Sequence, residues 1–167
     1  MRVRDAAPEL LGFDHVYLTV SDFARSQRFY DRLMKALGFK KGTAPIGGAP
    51  HSHYYNRNLQ ISIRPARRGS RKHDSYAPGL HHLCLRVANR KAVDEVARKL
   101  RALKIEIDGP RLWPEYARDY YALFFEDPDG IRFEVMNYRK GRKLIRRVWN
   151  DLEGFLNPMD RHMRKRG

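Results

Sequence analysis

Two stretches of this 167-residue chain share one pattern: FDHVYLTV at residues 13–20 and LHHLCLRV at residues 80–87. When they are aligned, His15 coincides with His82, 67 residues further along the chain. Apolar and polar side chains alternate in both stretches, as expected of strands with one buried face. The chain is therefore built on an internal repeat that begins each time with a strand.

A helix is predicted after each of these strands, over residues 21–37 and residues 89–103. Ser21 or Asp22 can cap the first helix and Asn89 the second, because their side-chain oxygens accept hydrogen bonds from amides that have no partner in the helix. The apolar residues of both segments recur at helical spacing. The first helix is expected to end at Gly38.

Further strands are predicted after each helix. In the first half they cover residues 54–55 and 58–64, and in the second half residues 120–126 and 131–138. Asp-Pro-Asp-Gly at residues 127–130 is a strong turn sequence between the last two strands. The order is β-α-β-β-β, twice, which predicts an α+β fold. The predicted organisation is an N-terminal arm (1–10), one domain (11–138, comprising module one 11–64, a linker 65–78 and module two 79–138) and a basic C-terminal extension with a helix (139–167).

The charge of the chain is strongly positive. Lys and Arg number 34 against 19 Asp and Glu, which gives +15 and a pI near 10.3. Residues 139–167 alone hold ten Lys and Arg against three acids. The extension also carries a helical apolar stripe from Arg142 to Phe155, which we expect to pack against its own sheet or a partner subunit.

Several classes of protein are excluded by composition. No apolar run approaches the length of a membrane span, and no known nucleic-acid-binding motif is present. A single cysteine, Cys84, cannot form an internal disulfide. We therefore expect a cytoplasmic protein that binds neither membranes nor, despite its charge, nucleic acid.

The repeat, the histidine at the start of each half and EDPDGIRFEV at residues 126–135 resemble the vicinal oxygen chelate superfamily over about residues 11–138. That superfamily includes glyoxalase I, extradiol dioxygenases, fosfomycin-resistance enzymes, methylmalonyl-CoA epimerase and bleomycin-binding proteins. GLHHLCLRV at residues 79–87 looks like the epimerases, whereas the DPDG turn before Glu134 is more similar to glyoxalases and dioxygenases. The resemblance implies two βαβββ modules whose curved mixed sheet surrounds a metal-binding cleft, and a homodimer.

In such proteins the first and last strands of each half carry the metal ligands. The resemblance places them at His15 and Gln60 in the first half and at His82 and Glu134 in the second. All four lie on the polar side of an alternating strand. Two imidazoles and a carboxylate suit a divalent Fe, Mn, Ni, Co or Zn ion. For Gln60 two roles stay open, as a neutral ligand or as a hydrogen-bonding group beside the metal.

Other polar residues have less specific expectations. Alternation places Tyr17, Arg64 and Arg86 on the ligand face, where they are candidate substrate-binding residues, and either arginine suits an anionic group. His81 is expected on the opposite face from His82. His51, His53 and His73 lie in loop-like sequence and are expected in solvent.

The predicted function is a glyoxalase- or dioxygenase-like metalloenzyme that chelates a small oxygenated substrate through its metal. An isomerase or lyase would use Glu134 as the catalytic base, whereas a ring-cleaving dioxygenase would use Fe(II) on His15, His82 and Glu134. The alternatives are an enzyme like methylmalonyl-CoA epimerase or the fosfomycin-resistance proteins, and a metal-free binding protein of the bleomycin-resistance type.

Overall fold

The computed structural model describes residues 12–137 and 140–148. Its strands form two four-stranded mixed sheets, one from each half of the repeat, so the α+β fold and the doubled β-α-β-β-β order are confirmed. The chain divides into two compact units. The first unit contains the described residues up to Asp74 together with the turn Asp127–Ile131, and the second unit contains the others.

The sheet of the first unit has the strand order β1-β4-β3-β2. Its first and last strands are parallel neighbours, and the other pairs are antiparallel. The elements are β1 (His15–Val20), α1 (Phe23–Ala36), β2 (Lys40–Thr43), β3 (Ser52–Tyr55) and β4 (Gln60–Pro65). Across the parallel pair, His15 lies opposite Gln60, Tyr17 opposite Ser62 and Thr19 opposite Arg64.

Helix α1 begins and ends as its sequence predicts. The Asp22 side chain accepts a hydrogen bond from the Arg25 amide at 3.0 Å, which satisfies one free N–H at the helix start. Gly38 follows the helix with φ +83°, a conformation that favours glycine. Leu33 and Met34 of the helix are fully buried. The face of the sheet toward α1 is largely apolar, although Ser52 on that face accepts a hydrogen bond from Gln27 of the helix at 2.7 Å.

The second unit repeats this arrangement with the strand order β5-β8-β7-β6. Strands β5 and β8 are parallel, which places Cys84 opposite Glu134. The Asn89 side chain caps the second helix by accepting from the Ala92 amide at 3.0 Å. The elements are β5 (Leu83–Val87), α2 (Arg90–Ala102), β6 (Asp108–Leu112), β7 (Tyr121–Glu126), β8 (Arg132–Asn137) and α3 (Lys140–Arg147).

Some boundaries differ from the sequence-based expectation. Strand β1 begins at His15 rather than Phe13, and β5 begins at Leu83 rather than Leu80, so His82 precedes its strand. The positions of β2 and β6 were not predicted from the sequence. Both strands are short and contain glycine or proline, residues that are rare in strands.

The C-terminal extension begins with α3, and the Asp119 carboxylate accepts a hydrogen bond from the Lys140 amide at 2.9 Å. Leu144 is 61% exposed and Ile145 36% exposed, so neither is buried on the chain's own sheets. Packing of the apolar stripe against a partner subunit stays a prediction. The part of the predicted helix after residue 148, like the arm before residue 12, lies outside the described residues.

The turn Asp127–Ile131 holds the start of α1 by hydrogen bonds within the first unit. The Asp129 carboxylate accepts from the amide of Ser21 at 2.9 Å and from the hydroxyl of that serine, and it pairs with Arg25 at 2.6 Å. The Tyr30 hydroxyl donates to Asp127 at 2.7 Å in a buried setting. A negatively charged side chain at a helix N-terminus is also favoured by the helix dipole.

Burial changes the acidity of this tyrosine–aspartate pair. It raises the pKa of the Asp127 carboxyl, although hydrogen bonds from Tyr30 and from the Ile131 amide oppose the shift. Burial and the nearby Asp127 charge raise the pKa of the Tyr30 phenol well above its usual value. Tyr30 therefore stays a hydrogen-bond donor throughout the physiological pH range.

Among the described residues, no helix is long and apolar enough to span a bilayer.

We expect Tyr30→Phe to lower the free energy of unfolding by about 1–3 kcal/mol, because it leaves a buried carboxylate oxygen of Asp127 without its donor. Urea denaturation measures the change. Tyr54→Phe is the matched control, since Tyr54 donates to Asp31, a carboxylate that Lys41 also contacts and that solvent reaches. The control should lose less than half as much, and equal losses would contradict the role of the buried pair.

Candidate functional site

Glu134 and His82 form the core of the candidate site in the second unit. Glu134 lies on β8 and is only 2% exposed, whereas His82 stands just before β5, the parallel neighbour of β8. Their facing atoms, Nε2 of His82 and Oε2 of Glu134, are 3.2 Å apart. A buried carboxylate needs charged or hydrogen-bonding partners, and His82 is one of them.

Tyr120 is the second partner of Glu134. Its hydroxyl donates a short hydrogen bond to Oε1 of the carboxylate, so Oε2 is the oxygen that faces His82. The Tyr120 ring contacts Tyr116 edge to face, and it packs on a buried cluster that contains Trp113 and Phe124. These aromatic contacts fix the position of the phenol, which in turn fixes the carboxylate. The sequence pattern places Tyr120 at the start of the predicted strand over residues 120–126 but does not mark it as a site residue, because its bond to Glu134 is a tertiary contact.

His81 contacts His82, which corrects the expectation that the two histidines lie on opposite faces. Their Nδ1 atoms are 2.7 Å apart and their rings meet edge to face. The alternation argument fails because strand β5 begins only at Leu83, so both histidines precede it. The contact occupies Nδ1 of His82 and leaves Nε2 directed to Glu134.

His15 and Gln60 are neighbours on the polar face of the first sheet, as the parallel pairing of β1 with β4 requires. Nδ1 of His15 lies 2.8 Å from the Asp14 carboxylate. The Gln60 amide nitrogen donates to the Ser62 hydroxyl at 2.7 Å. One end of each side chain is therefore held by the protein, and the ends that remain, Nε2 of His15 and the amide oxygen of Gln60, are chemically able to bind a metal.

The expectation that His51 and His53 lie in solvent is wrong. They are 4% and 5% exposed, and His53 belongs to β3, where it pairs with Ser62 of β4. The alternation of HSHYY at residues 51–55 was the available signal, since it puts both histidines on one face and Ser52 and Tyr54 on the other. The preceding Gly- and Pro-rich sequence obscured that signal. His73 lies in the linker at intermediate exposure.

The three candidate substrate-binding residues are exposed, each on a strand. Tyr17 lies beside His15 at a ring distance of 5.4 Å and contacts the rings of His51 and His53 edge to face. Arg64 is on β4 of the first unit, and Arg86 is on β5 of the second. Of these three, Tyr17 is the one whose ring contacts histidines of the polar face.

The structure thus pairs His82 with Glu134 in one unit and His15 with Gln60 in the other. Within residues 12–137 and 140–148, no three His, Cys, Asp or Glu side chains are grouped closely enough to hold a metal ion together. The hypothesis that both pairs serve one metal therefore stays a prediction.

Residues 12–135 match the family model of the glyoxalase/bleomycin resistance protein/dioxygenase superfamily. The chain belongs to this superfamily. The predicted resemblance is therefore confirmed, and the two sheets are the fold expected of its members.

Individual proteins resemble this chain at low to moderate identity. YqjT of Bacillus subtilis, described as an uncharacterized protein, is 28% identical over 128 residues, which are 73% of this chain and 95% of YqjT. A glyoxylase/bleomycin resistance protein/dioxygenase domain from Frankia sp. has a TM-score of 0.65 at 26% identity and covers 78% of this chain and 100% of its own. The fosfomycin resistance protein FosX from Listeria monocytogenes, crystallised with Mn(II), shares the fold with a TM-score of 0.59 at 17% identity, covering 81% of this chain and 98% of FosX.

For this superfamily member we expect Tyr120→Phe to lower the free energy of unfolding by about 1–3 kcal/mol, because Oε1 of the buried Glu134 loses its donor. Thermal and urea denaturation measure the effect. The matched control is Tyr116→Phe, which removes a hydroxyl from a ring that is 54% exposed and should change stability by less than about 0.5 kcal/mol. A Tyr120→Phe variant as stable as the control would show that the bond to Glu134 contributes nothing.

Proposed function

We propose that this chain is a metal-dependent enzyme that binds a small oxygenated substrate through a divalent metal held by His15, His82 and Glu134. The observation that carries the proposal is the facing of His82 and Glu134 in the second unit, with Nε2 and Oε2 3.2 Å apart. Two ligand atoms that each lie about 2.0–2.2 Å from one metal ion are themselves about 3 Å apart. The donor types and their separation both suit a metal.

The remaining atoms of this pair also support the proposal. Metal-binding histidines commonly use their second ring nitrogen in a hydrogen bond that orients the ring, and ligating carboxylates are hydrogen-bonded in turn. His82 has such a contact to His81, and Glu134 has one to Tyr120. His15 carries the equivalent contact to Asp14. The third ligand would come from this chain or from a second copy in a dimer.

A bound divalent metal would act as a Lewis acid toward two neighbouring oxygens of the substrate. The chain's own residues would then position and deprotonate it. Glu134 is the carboxylate available to take a proton from an acidic substrate carbon, and Tyr120 keeps Oε1 of that carboxylate in place. This chemistry is that of an isomerase or lyase. The FosX structure with Mn(II) supports the capacity of the fold for a divalent metal.

A ring-cleaving dioxygenase is the second candidate, because two histidines and one carboxylate are also the ligand set of non-haem Fe(II) enzymes that activate oxygen. The role of Gln60 separates the two candidates. A fourth ligand at Gln60 favours isomerisation, whereas a Gln60 that only donates to Ser62 leaves the coordination positions that substrate and oxygen need.

Each of the single substitutions His15→Ala, His82→Ala and Glu134→Ala should lower metal occupancy at least about tenfold, since a three-ligand site has no spare donor. Elemental analysis of protein purified in parallel measures the occupancy. His73→Ala, in the linker between the modules, controls for the loss of a histidine and should keep wild-type occupancy. Unchanged occupancy in all three ligand variants would refute the proposed site.

Gln60→Glu should strengthen metal binding about tenfold if Gln60 is a ligand, because a carboxylate adds charge to its oxygen donor. Metal titration by calorimetry measures the change. Gln27→Glu is a close control: the Gln27 amide donates to the Ser52 hydroxyl at 2.7 Å, as Gln60 does to Ser62, but from helix α1. If Gln60→Glu changes affinity no more than this control, the four-ligand arrangement is excluded, and a dioxygenase or a fosfomycin-resistance-like transferase, which both use three ligands, becomes the favoured candidate.

A further inference from the structure

Arg132 differs from the other arginines of the chain in its burial. It is the first residue of β8, two residues before Glu134 and on the same face of the second sheet. Among the arginines whose side chains the structure describes, it is the one that is half-buried, whereas the others are exposed. Arginine is seldom withdrawn from solvent unless its charge is paired. A half-buried arginine therefore calls for an anionic partner.

No carboxylate within residues 12–137 and 140–148 pairs with the Arg132 guanidinium. Its cross-strand neighbour on β7 is Glu126, yet in this part of the chain the two side chains form no ion pair. The other acid on the same face is Glu134, whose oxygens are directed to Tyr120 and His82. Arg132 thus has two acids as neighbours in the sheet, and its charge remains unmatched among the described residues.

The guanidinium stacks on an aromatic ring instead. Its central carbon lies 4.4 Å from the centre of the Phe124 ring, and Phe124 is the cross-strand partner of Glu134. The Phe124 ring is 6% exposed and is held in turn by Trp113, whose ring meets it edge to face at 4.9 Å. The arginine is therefore turned away from Glu126, toward the row of the sheet that carries Glu134.

Stacking satisfies only part of a guanidinium. The ring covers the flat face of the group, while the five N–H donors point outward in its plane. Two of these donors can bind two oxygens of one carboxylate or phosphate group at the same time. Within the described ranges no residue accepts a hydrogen bond from Arg132. Its N–H donors are therefore available to an anion from outside the chain.

We propose that Arg132 binds an anionic oxygen group of the substrate, while two neighbouring oxygens of the same molecule chelate the metal beside His82 and Glu134. The inference deepens the proposed function and rests on it in taking the bound molecule to be the substrate. Two residues along a strand span about 6.8 Å, so the anionic group lies a few bonds from the chelating oxygens. The substrate class is then a small acid with vicinal oxygens, and Arg132 is the residue that selects the acid.

The first test needs no metal. Chelator-treated full-length protein is titrated with inorganic phosphate while nitrogen-15 spectra record the arginine Nε–H signals, and sodium chloride at matched ionic strength serves as the blank. The Arg132 signal, assigned by its absence from Arg132→Lys, should shift to saturation with phosphate only. Arg90 is the matched control, because it also lies over a ring, that of Tyr121 at 5.4 Å, but is exposed on helix α2. Its signal should respond equally to phosphate and chloride.

The second test uses Mn(II)-loaded protein, kept free of oxygen, with 3,4-dihydroxybenzoate as the probe and 3,4-dihydroxybenzamide as its control. Both molecules carry the same pair of neighbouring hydroxyls and differ in the charge at the opposite end. Calorimetry should show at least tenfold tighter binding of the benzoate. Arg132→Gln should reduce that preference to about twofold or less, Arg132→Lys should leave an intermediate preference, and Arg90→Gln should preserve all of it. Affinity of the Arg132 variants for the benzamide, unchanged within about twofold, shows that they are folded.

An Arg132 signal that responds equally to phosphate and chloride would show that water alone solvates the guanidinium, and it would overturn the proposal. A benzoate preference that Arg132→Gln leaves intact would overturn it as well. Either result leaves the metal site untouched. Conversely, unchanged metal occupancy in the His15, His82 and Glu134 variants together with a saturable phosphate shift at Arg132 would refute the metal enzyme and retain the anion site.

Discussion

The parallel pairing of the first and last strands of each module is the constraint on which the site depends. In the first sheet it brings residue 15 beside residue 60, and in the second it brings residue 84 beside residue 134. Parallel neighbours require a long connection, which here contains a helix and two further strands. The helix buries the apolar face of its sheet. The opposite face is left for imidazoles, carboxylates, amides and hydroxyls, so one pairing rule produces both the core and the polar surface.

The polar surface is more constrained than a row of independent side chains. In the first unit a hydrogen-bond chain runs from the amide of Gln60 through the hydroxyl of Ser62 to the ring of His53. In the second unit Tyr120 and His82 each hold one oxygen of Glu134. Networks of this kind are costly when one member is lost, because the others stay buried without a partner. They therefore fix side-chain orientation as well as stability.

The repeat and its alternation were sufficient to locate β1, β4, β5 and β8 and to indicate which side chains share a face. The choice of His15, Gln60, His82 and Glu134 as candidate ligands came from the family resemblance. The sequence pattern was insufficient where a strand boundary decided the outcome. His81 touches His82 because β5 starts three residues later than the apolar pattern suggests. The burial of His51 and His53 was not predicted, because the glycine- and proline-rich sequence before them conceals the short strand β3. The role of Tyr120 depends on a tertiary contact that no local period encodes.

The turn Asp127–Ile131 limits where the chain can be cut into fragments that fold independently. It belongs to the first unit although it is encoded near the end of the domain, and its two carboxylates satisfy Ser21, Arg25 and Tyr30 of the N-terminal half. A fragment that ended in the linker would lack those acceptors, including the carboxylate to which the buried Tyr30 phenol donates. The first module is thus completed only once almost the whole domain has been translated. The first unit therefore depends on a turn that lies in the second half of the chain.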